Sequence, residues 1–363
     1  MTSLTDVVVI GAGQSGLAAA SALRTHGITP VVLEAGQEPA GSVVAAVLRQ
    51  PDSVLSGPLQ RHARPGLPRR SRPLPAPRRG RQLPTPLRRY ADGLDADIRT
   101  RNPVTAVVAH DQGGFLVRTA TGQAIRAAGV VAASGSFGNP HLPVLPGQDG
   151  FTGRLLHVAS YRDAQQHAGE RVVVVGAGNS AVQVGFELAQ VATVTLTTRH
   201  PITLHPQRRG GQDLHHWLVT SGFDLLPPEW LSHYLGGRWV VDAGKYQHAL
   251  EAGWMDRRPM FTAFEHGRVV WPNGTREQVD TVVFATGYRP DLGYLAPLGA
   301  LDRGGMPRHC GGISCTHPGL AYVGLEFQRS FSSNTLRGVH RDAEHVTAPL
   351  AAHVRNAPGA VGL

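Results

Sequence analysis

Unbroken apolar runs that stop at glycine set the rhythm of this chain. DVVVIGAGQSGLAAASALRTHG (6–27) is an apolar run, a glycine turn and then apolar positions at helical spacing, and PVVLEAG (30–36) follows as a second apolar run. RVVVVGAGNSAVQVGFELAQ (171–190) and TVTLTTRH (193–200) repeat the arrangement about 165 residues later. Val/Ile runs without alternation suit parallel strands buried on both faces. Each unit therefore predicts a strand, a tight turn, an amphipathic helix and a second strand. The two openings together predict an α/β fold with two dinucleotide-binding, Rossmann-like domains.

Between and after these units the pattern changes. VTAVVAHDQGGFLVRTATGQAIRAAGVVAASG (104–135) reads as a β-meander running into a glycine turn. GRVVWPNGTREQVDTVVFATGYRP (267–290) predicts a hairpin at Asn273-Gly274 and then another strand ending in glycine. The tail from Gly319 to Val354 reads as strand, loop and long helix. This order places the second unit (156–284) as an insertion in the first (1–155 and 285–363).

The glycines carry the candidate chemistry. Gly11, Gly13 and Gly16 form G-x-G-x-x-G directly after a strand. The first allows the tight turn, the second lets the backbone approach a pyrophosphate, and the third lets helix and strand pack closely. Gln14 and Ser15 complete that turn. Glu34 ends the next strand 23 residues after Gly11, where a carboxylate accepts from ribose hydroxyls. In the second unit Gly176, Gly178, Asn179, Ser180 and Ala181 stand in the corresponding places, and Arg199 follows Gly176 by the same 23 residues. An acid at that place suits an unphosphorylated ribose and an arginine suits a 2′-phosphate. The first unit thus looks built for FAD and the second for NADPH.

Other clusters are weaker. His215-His216-Trp217 has no acid to complete a metal site, so no metal is expected. Cys310 and Cys315, the only cysteines, form neither a CxxC pair nor a zinc pattern. Ser330, Ser332 and Ser333 precede the last helix, either capping it or placing its N-terminus at a flavin ring. His157, within FTGRLLHVASY (151–161), has no evident acid partner and reads as a packed structural histidine.

Four motifs in order make the chain resemble a class B flavin-dependent monooxygenase, of the bacterial flavin-containing and YUCCA-like group. They are GAGQSG (11–16), Phe151-x-Gly153-x3-His157-x3-Tyr161, GAGNSA (176–181) and FATGYRPDLGYL (284–295). Gly135 in Ala133-Ser134-Gly135, with Thr286 and Gly287 in Ala285-Thr286-Gly287, matches the two strand exits of that family. The resemblance covers roughly 1–42 and 90–350. It implies that NADPH reduces FAD, that O2 adds at flavin C4a, and that the resulting (hydro)peroxyflavin oxygenates a small organic substrate. It names no catalytic side chain, since the cofactor carries the hard chemistry. Two alternatives stay open: a nucleotide-binding relic without turnover, and a pyridine-nucleotide disulfide oxidoreductase.

Charge singles out one stretch. The net charge is +9, yet the nine arginines and single acid between Arg49 and Arg81 contribute +8 of it. Nine of the 27 prolines fall between Pro51 and Pro86. Basicity is therefore local, not a nucleic-acid-binding face, and no aromatic interleaves those arginines. Where the family carries an aromatic-rich segment, 43–87 is Arg/Pro-rich. Synonymous codons for 43–82 read one base later yield WWPRYYDSLTRF and further aromatic sequence, so a double frameshift accounts for the stretch. A disordered insertion is the alternative. As written, 43–87 is expected to be exposed and irregular, which puts activity in doubt. No apolar run reaches membrane-span length and the start enters a strand at once, so a cytoplasmic protein is expected, as a monomer or a homodimer.

Overall fold

The computed structural model describes residues 3–39, 86–235 and 239–356. The chain is a mixed α/β protein whose sheets are built on parallel strands, as its apolar runs predict. The run at 6–10 lies in strand β1 (Ser3–Ile10), the turn leads into helix α1 (Gln14–Thr25), and β2 (Val31–Leu33) follows. After the helix α2 (Pro86–Asp92) come β3 (Asp97–Arg99), β4 (Val104–Ala109), β5 (Phe115–Thr119) and β6 (Ala124–Ala132). The last three form the expected meander. Strand β7 (Arg154–His157) precedes β8 (Arg171–Val175), helix α3 (Asn179–Leu188), β9 (Thr193–Thr198), β10 (Met255–Pro259) and β11 (Thr281–Phe284). Strand β12 (Leu320–Tyr322) and helix α4 (Val339–Asn356) end the described chain.

Two sheets organise these elements. In the first, β3, β2, β1, β6 and β12 lie side by side and parallel. The first half of β6 also pairs with β5, and the short strands His309–Cys310 and Ile313–Ser314 extend the edge beyond β12. In the second sheet the order is β10, β9, β8, β11, β7, all parallel. A separate three-stranded antiparallel sheet contains the hairpin turn at Asn273-Gly274, where Gly274 adopts φ +82°.

Both strand openings bury two faces, which is why they need no alternation. Val7 and Val9 pack toward α1 and α4 with Leu17, Leu23 and Leu350. Val8 and Ile10 pack the opposite way, with Val117, Leu295 and Tyr322. In the second sheet Val172 and Val174 meet Val182 and Leu188, whereas Val173 and Val175 meet Phe264 and Trp271. Each valine removed from water on both sides is worth roughly 1.5–3 kcal/mol.

The expectation of irregular chain across 43–87 needs a correction at its end. Pro86 and Leu87 open α2, with proline at a first-turn position where its missing N–H costs nothing. Residues 43–85 lie outside the described residues.

Gly16 fixes how closely α1 sits on β1. A Cβ there would lie 1.7 Å from the Gly11 carbonyl oxygen and 3.4 Å from Val9. No rotamer moves a Cβ, so Gly16→Ala must push helix and strand apart and should cost about 3 kcal/mol in the apoprotein. Gly27→Ala is the control. Gly27 has φ +75° but nothing within 4 Å, so only the conformational cost of about 1–2 kcal/mol applies. Urea unfolding of both variants checks the contact: equal losses would overturn it.

Candidate functional site

The carboxyl ends of the first sheet's strands open into a cleft of about 790 Å³. Its floor is the turn between β1 and α1. Gly11 is held at φ +99°, where a Cβ would meet the Ala133 carbonyl oxygen at 2.7 Å. Gly13 is the N-cap of α1 in extended conformation, with no side chain to bond the first-turn N–H groups. Those amides have no partner within the helix. Together with the helix dipole they offer a ready site for a phosphate. Gln14 and Ser15 line the same floor. Gly16 instead is buried beneath it, as its packing role requires.

Glu34 stands at the end of β2 on the cleft wall. Its two oxygens accept from Ala12 N and Gly36 N, each at 2.7 Å. Each oxygen retains lone-pair capacity toward the cleft, enough to take a ribose hydroxyl. Gly135, at φ +70°, lines the opposite wall. The donor set therefore fits the ADP half of a dinucleotide: free amides for the pyrophosphate and a fixed carboxylate for the ribose.

The second glycine turn copies the first. Gly176 has φ +148°, and a Cβ there would sit 2.4 Å from the Ala285 carbonyl oxygen. Gly178 is the side-chain-free N-cap of α3. Asn179 Oδ1 accepts from Val241 N at 2.9 Å, tying the turn to the neighbouring strand. Ser180 is half-buried, and Ala181 is fully buried among the apolar residues under α3. Arg199 is exposed one residue beyond β9. None of these six lines the 790 Å³ cleft. Burial, then Arg289, then Arg199, lowers the pKa of His141.

The two strand exits meet. Thr286 donates to the His141 carbonyl, and His141 N donates to the Gly287 carbonyl at 3.0 Å. Ser134 Oγ donates to the Asp291 carbonyl at 2.5 Å, while Asp291 N donates to the Gly135 carbonyl at 2.9 Å. Thr286 and Gly287 themselves stay out of the cleft, but Tyr288 and Asp291, just beyond them, enter it.

His157 is structural. Its Nδ1 accepts from Ala159 N at 3.1 Å, so Nε2 carries the proton and donates to the Gly287 carbonyl at 3.0 Å. Phe151 packs on Phe264, and Tyr161 donates to Glu187. The 151–161 motif thus anchors the second sheet to the strand exit after β11.

Several cleft residues were not anticipated. Asp291, Glu326 and Asn334 line it, as do Pro103 and Thr105. Burial raises the carboxyl pKa of both Asp291 and Glu326. Asp291 belongs to FATGYRPD and was within reach of that motif; Glu326 and Asn334 had no such signal. Ser330, Ser332 and Ser333, which precede α4, do not line the cleft. Ser333 Oγ accepts from Arg329 N and Ser330 N, and Ser332 Oγ donates to the Asp224 carbonyl. Among the described residues no group of three or more His, Cys, Asp or Glu converges on one point, and no helix is long and apolar enough to cross a membrane.

The sequence model of the pyridine nucleotide-disulphide oxidoreductases matches residues 8–218. The chain belongs to this family. Among other members similar to it, the oxidoreductase CzcO of Bacillus subtilis is 25% identical, with 94% of this chain and 97% of that protein covered. The indole-3-pyruvate monooxygenase YUCCA1 of Oryza sativa is 27% identical over 80% of this chain and 78% of its own. A solved flavin-containing monooxygenase from Stenotrophomonas maltophilia is 27% identical, covers 97% of this chain and 99% of its own, and superposes with a TM-score of 0.76. The resemblance carried by the four motifs is thus to the same group within the family.

His157 makes a pH-dependent contribution. Burial, opposed by the bond to Gly287, holds its pKa below the ordinary 6.5. A histidine neutral in the fold stabilises fully above its unfolded pKa and loses that contribution as pH falls toward the folded value. At neutral pH His157→Ala should cost about 1–3 kcal/mol. The gap from wild type should narrow below about pH 6.5. Unfolding midpoints across pH 5–8 check this; a constant gap would rule it out.

Proposed function

We propose that the chain is an NADPH-dependent flavoprotein monooxygenase acting on a small organic substrate. The carrying observation is the first cleft, which combines a side-chain-free helix N-terminus with the fixed carboxylate of Glu34. FAD is assigned there: its pyrophosphate to Gly11, Gly13, Gln14 and Ser15, its ribose to Glu34, and its flanks to Gly135 and Asp291. NADPH is assigned to Gly176, Gly178, Asn179 and Ser180, with Arg199 at the 2′-phosphate. Bound flavin supplies the oxygen-activating chemistry, and hydride comes from the nicotinamide. The chain's own groups bind, orient and exclude water.

This reading divides the chain into a FAD unit on the first sheet and a NADP unit on the second. The pairing of Arg154–His157 with β11 supports counting that strand with the NADP unit. Thr286 and Gly287 serve as the hinge between units, bonded to His141 and His157. The disulfide reductase alternative has no support at the cleft. Cys310 and Cys315 are exposed on the sheet edge and line none of it.

A spectrum of the purified protein before and after NADPH in air tests the proposal. Bound flavin should bleach and recover as O2 is consumed. Flavin that bleaches without O2 uptake would favour the relic without turnover. Gly13→Asp should abolish flavin retention, because it puts a negative side chain where the pyrophosphate must sit. If the parent holds FAD and this variant holds it equally, the FAD assignment is wrong.

Arg199→Ala tests the second site. It should weaken NADPH by roughly 1.5–3 kcal/mol, for a lost charge-assisted contact, and leave NADH nearly unchanged. Equal loss for both coenzymes would remove Arg199 from the 2′-phosphate.

A further inference from the structure

The turns from Ser330 to Gly338 lie far in sequence from residues 213–225 yet are clamped to them. Arg337 Nε and Nη2 donate to the two carboxylate oxygens of Asp224 at 2.8 and 3.0 Å. Asp224 is 2% exposed, so the pair is shielded from solvent on the carboxylate side. The remaining Arg337 nitrogen, Nη1, stands 2.7 Å from His215 Nδ1. Arginine has only donors, so His215 Nδ1 must be the acceptor and the ring must be neutral there. Ser332 Oγ adds a bond to the Asp224 carbonyl at 3.1 Å and accepts from Arg341 at 2.7 Å. Phe223 packs edge-on against Phe331, with ring centroids 5.2 Å apart.

These turns carry a wall of the cleft. Asn334 lines it, and the Asn334 carbonyl accepts from Gln14 Nε2 at 2.6 Å, bridging to the first turn of α1. The second unit thus holds in place a segment that closes the first unit's cleft. We propose that Arg337 is a positioning residue: clamped by Asp224 and His215, it fixes the 330–338 turns beside α1, and the clamp requires an uncharged His215. The role assigned to the cleft, FAD binding, rests on the function proposed above.

Protonating His215 would set N–H against N–H and place a second cation beside Arg337. The charged surroundings are mixed. On its own helix stand Asp213 and His216, and on the following turn Asp224. Across the contact stand Arg337 and Arg341, and behind them Asp342, paired with Arg329. Burial and Arg337 lower the His215 pKa, while Asp213 and Asp224 oppose them with smaller effects. The clamp is therefore closed at neutral pH and weakens on acidification.

Two readouts test this on the full chain: the FAD dissociation constant across pH 5–8, and amide hydrogen exchange over 330–338 without FAD. His215→Gln keeps a neutral acceptor that cannot titrate. It should match wild type at pH 8. On acidification wild type should weaken relative to it, by about tenfold for each pKa unit by which the clamp lowers His215. Exchange over 330–338 should accelerate in parallel in wild type alone. Arg337→Lys, which keeps the charge but loses the fork, should weaken FAD and speed exchange at every pH. Asp224→Asn should do the same should the lysine variant not fold. A wild-type to His215→Gln ratio that stays flat with pH, with exchange unchanged in all variants, would overturn the clamp. If wild type takes up no FAD while exchange behaves as stated, the clamp stands and the FAD assignment falls.

Discussion

One contact underlies both sheets: a glycine backbone pressed onto the carbonyl of the neighbouring strand's exit. Gly11 abuts Ala133 and Gly176 abuts Ala285, each in a left-handed conformation that admits no side chain. This approach lets the helix begin directly above the strand ends. The first-turn amides then face outward over the sheet instead of being covered by a residue of the turn. Substituting either glycine would shift the helix axis, and with it the whole apolar layer beneath, Leu17 and Leu23 in one unit and Val182 and Leu188 in the other. Packing and ligand geometry are here one constraint, not two.

The same strand exits join the units. Because Ala133 and Ala285 sit under the glycine turns, the residues just after them are placed beside those turns. There they bond one another, Ser134 and Gly135 with Asp291, Thr286 and Gly287 with His141. His157 reaches the same spot from β7 and spends both ring nitrogens on backbone groups. A change in the angle between the two sheets must therefore strain a small set of hydrogen bonds around Gly135 and Gly287, both glycines with positive φ. Arg337 and Asp224 make a further tie between chain segments distant in sequence.

What could be read in the sequence follows from how locally each feature is encoded. The glycine turns, Glu34 and Arg199 all lie within one strand–helix–strand stretch, where spacing alone determines position. The hairpin at Asn273-Gly274 is equally local. Asp224 and Arg337 are 113 residues apart and acquire meaning only when the two chain segments fold together. Glu326 and Asn334 sit in a run of turns without periodicity, so no hydrophobic pattern announced that they border the cleft. A hydroxyl before a helix suggests a cap, but here tertiary contacts with Asp224 and Arg341 claim Ser332.

The charge pattern of the cleft decides how an anionic dinucleotide would be held. Glu34, Glu38, Asp291 and Glu326 border it, and no Lys, Arg or His does among the described residues. Among the described residues no side-chain cation is there to neutralise a pyrophosphate. That task falls to the α1 amides and dipole, worth up to about 2 kcal/mol in partly buried geometry. Burial already raises the pKa of Asp291 and Glu326, and a nearby dianion would raise it further.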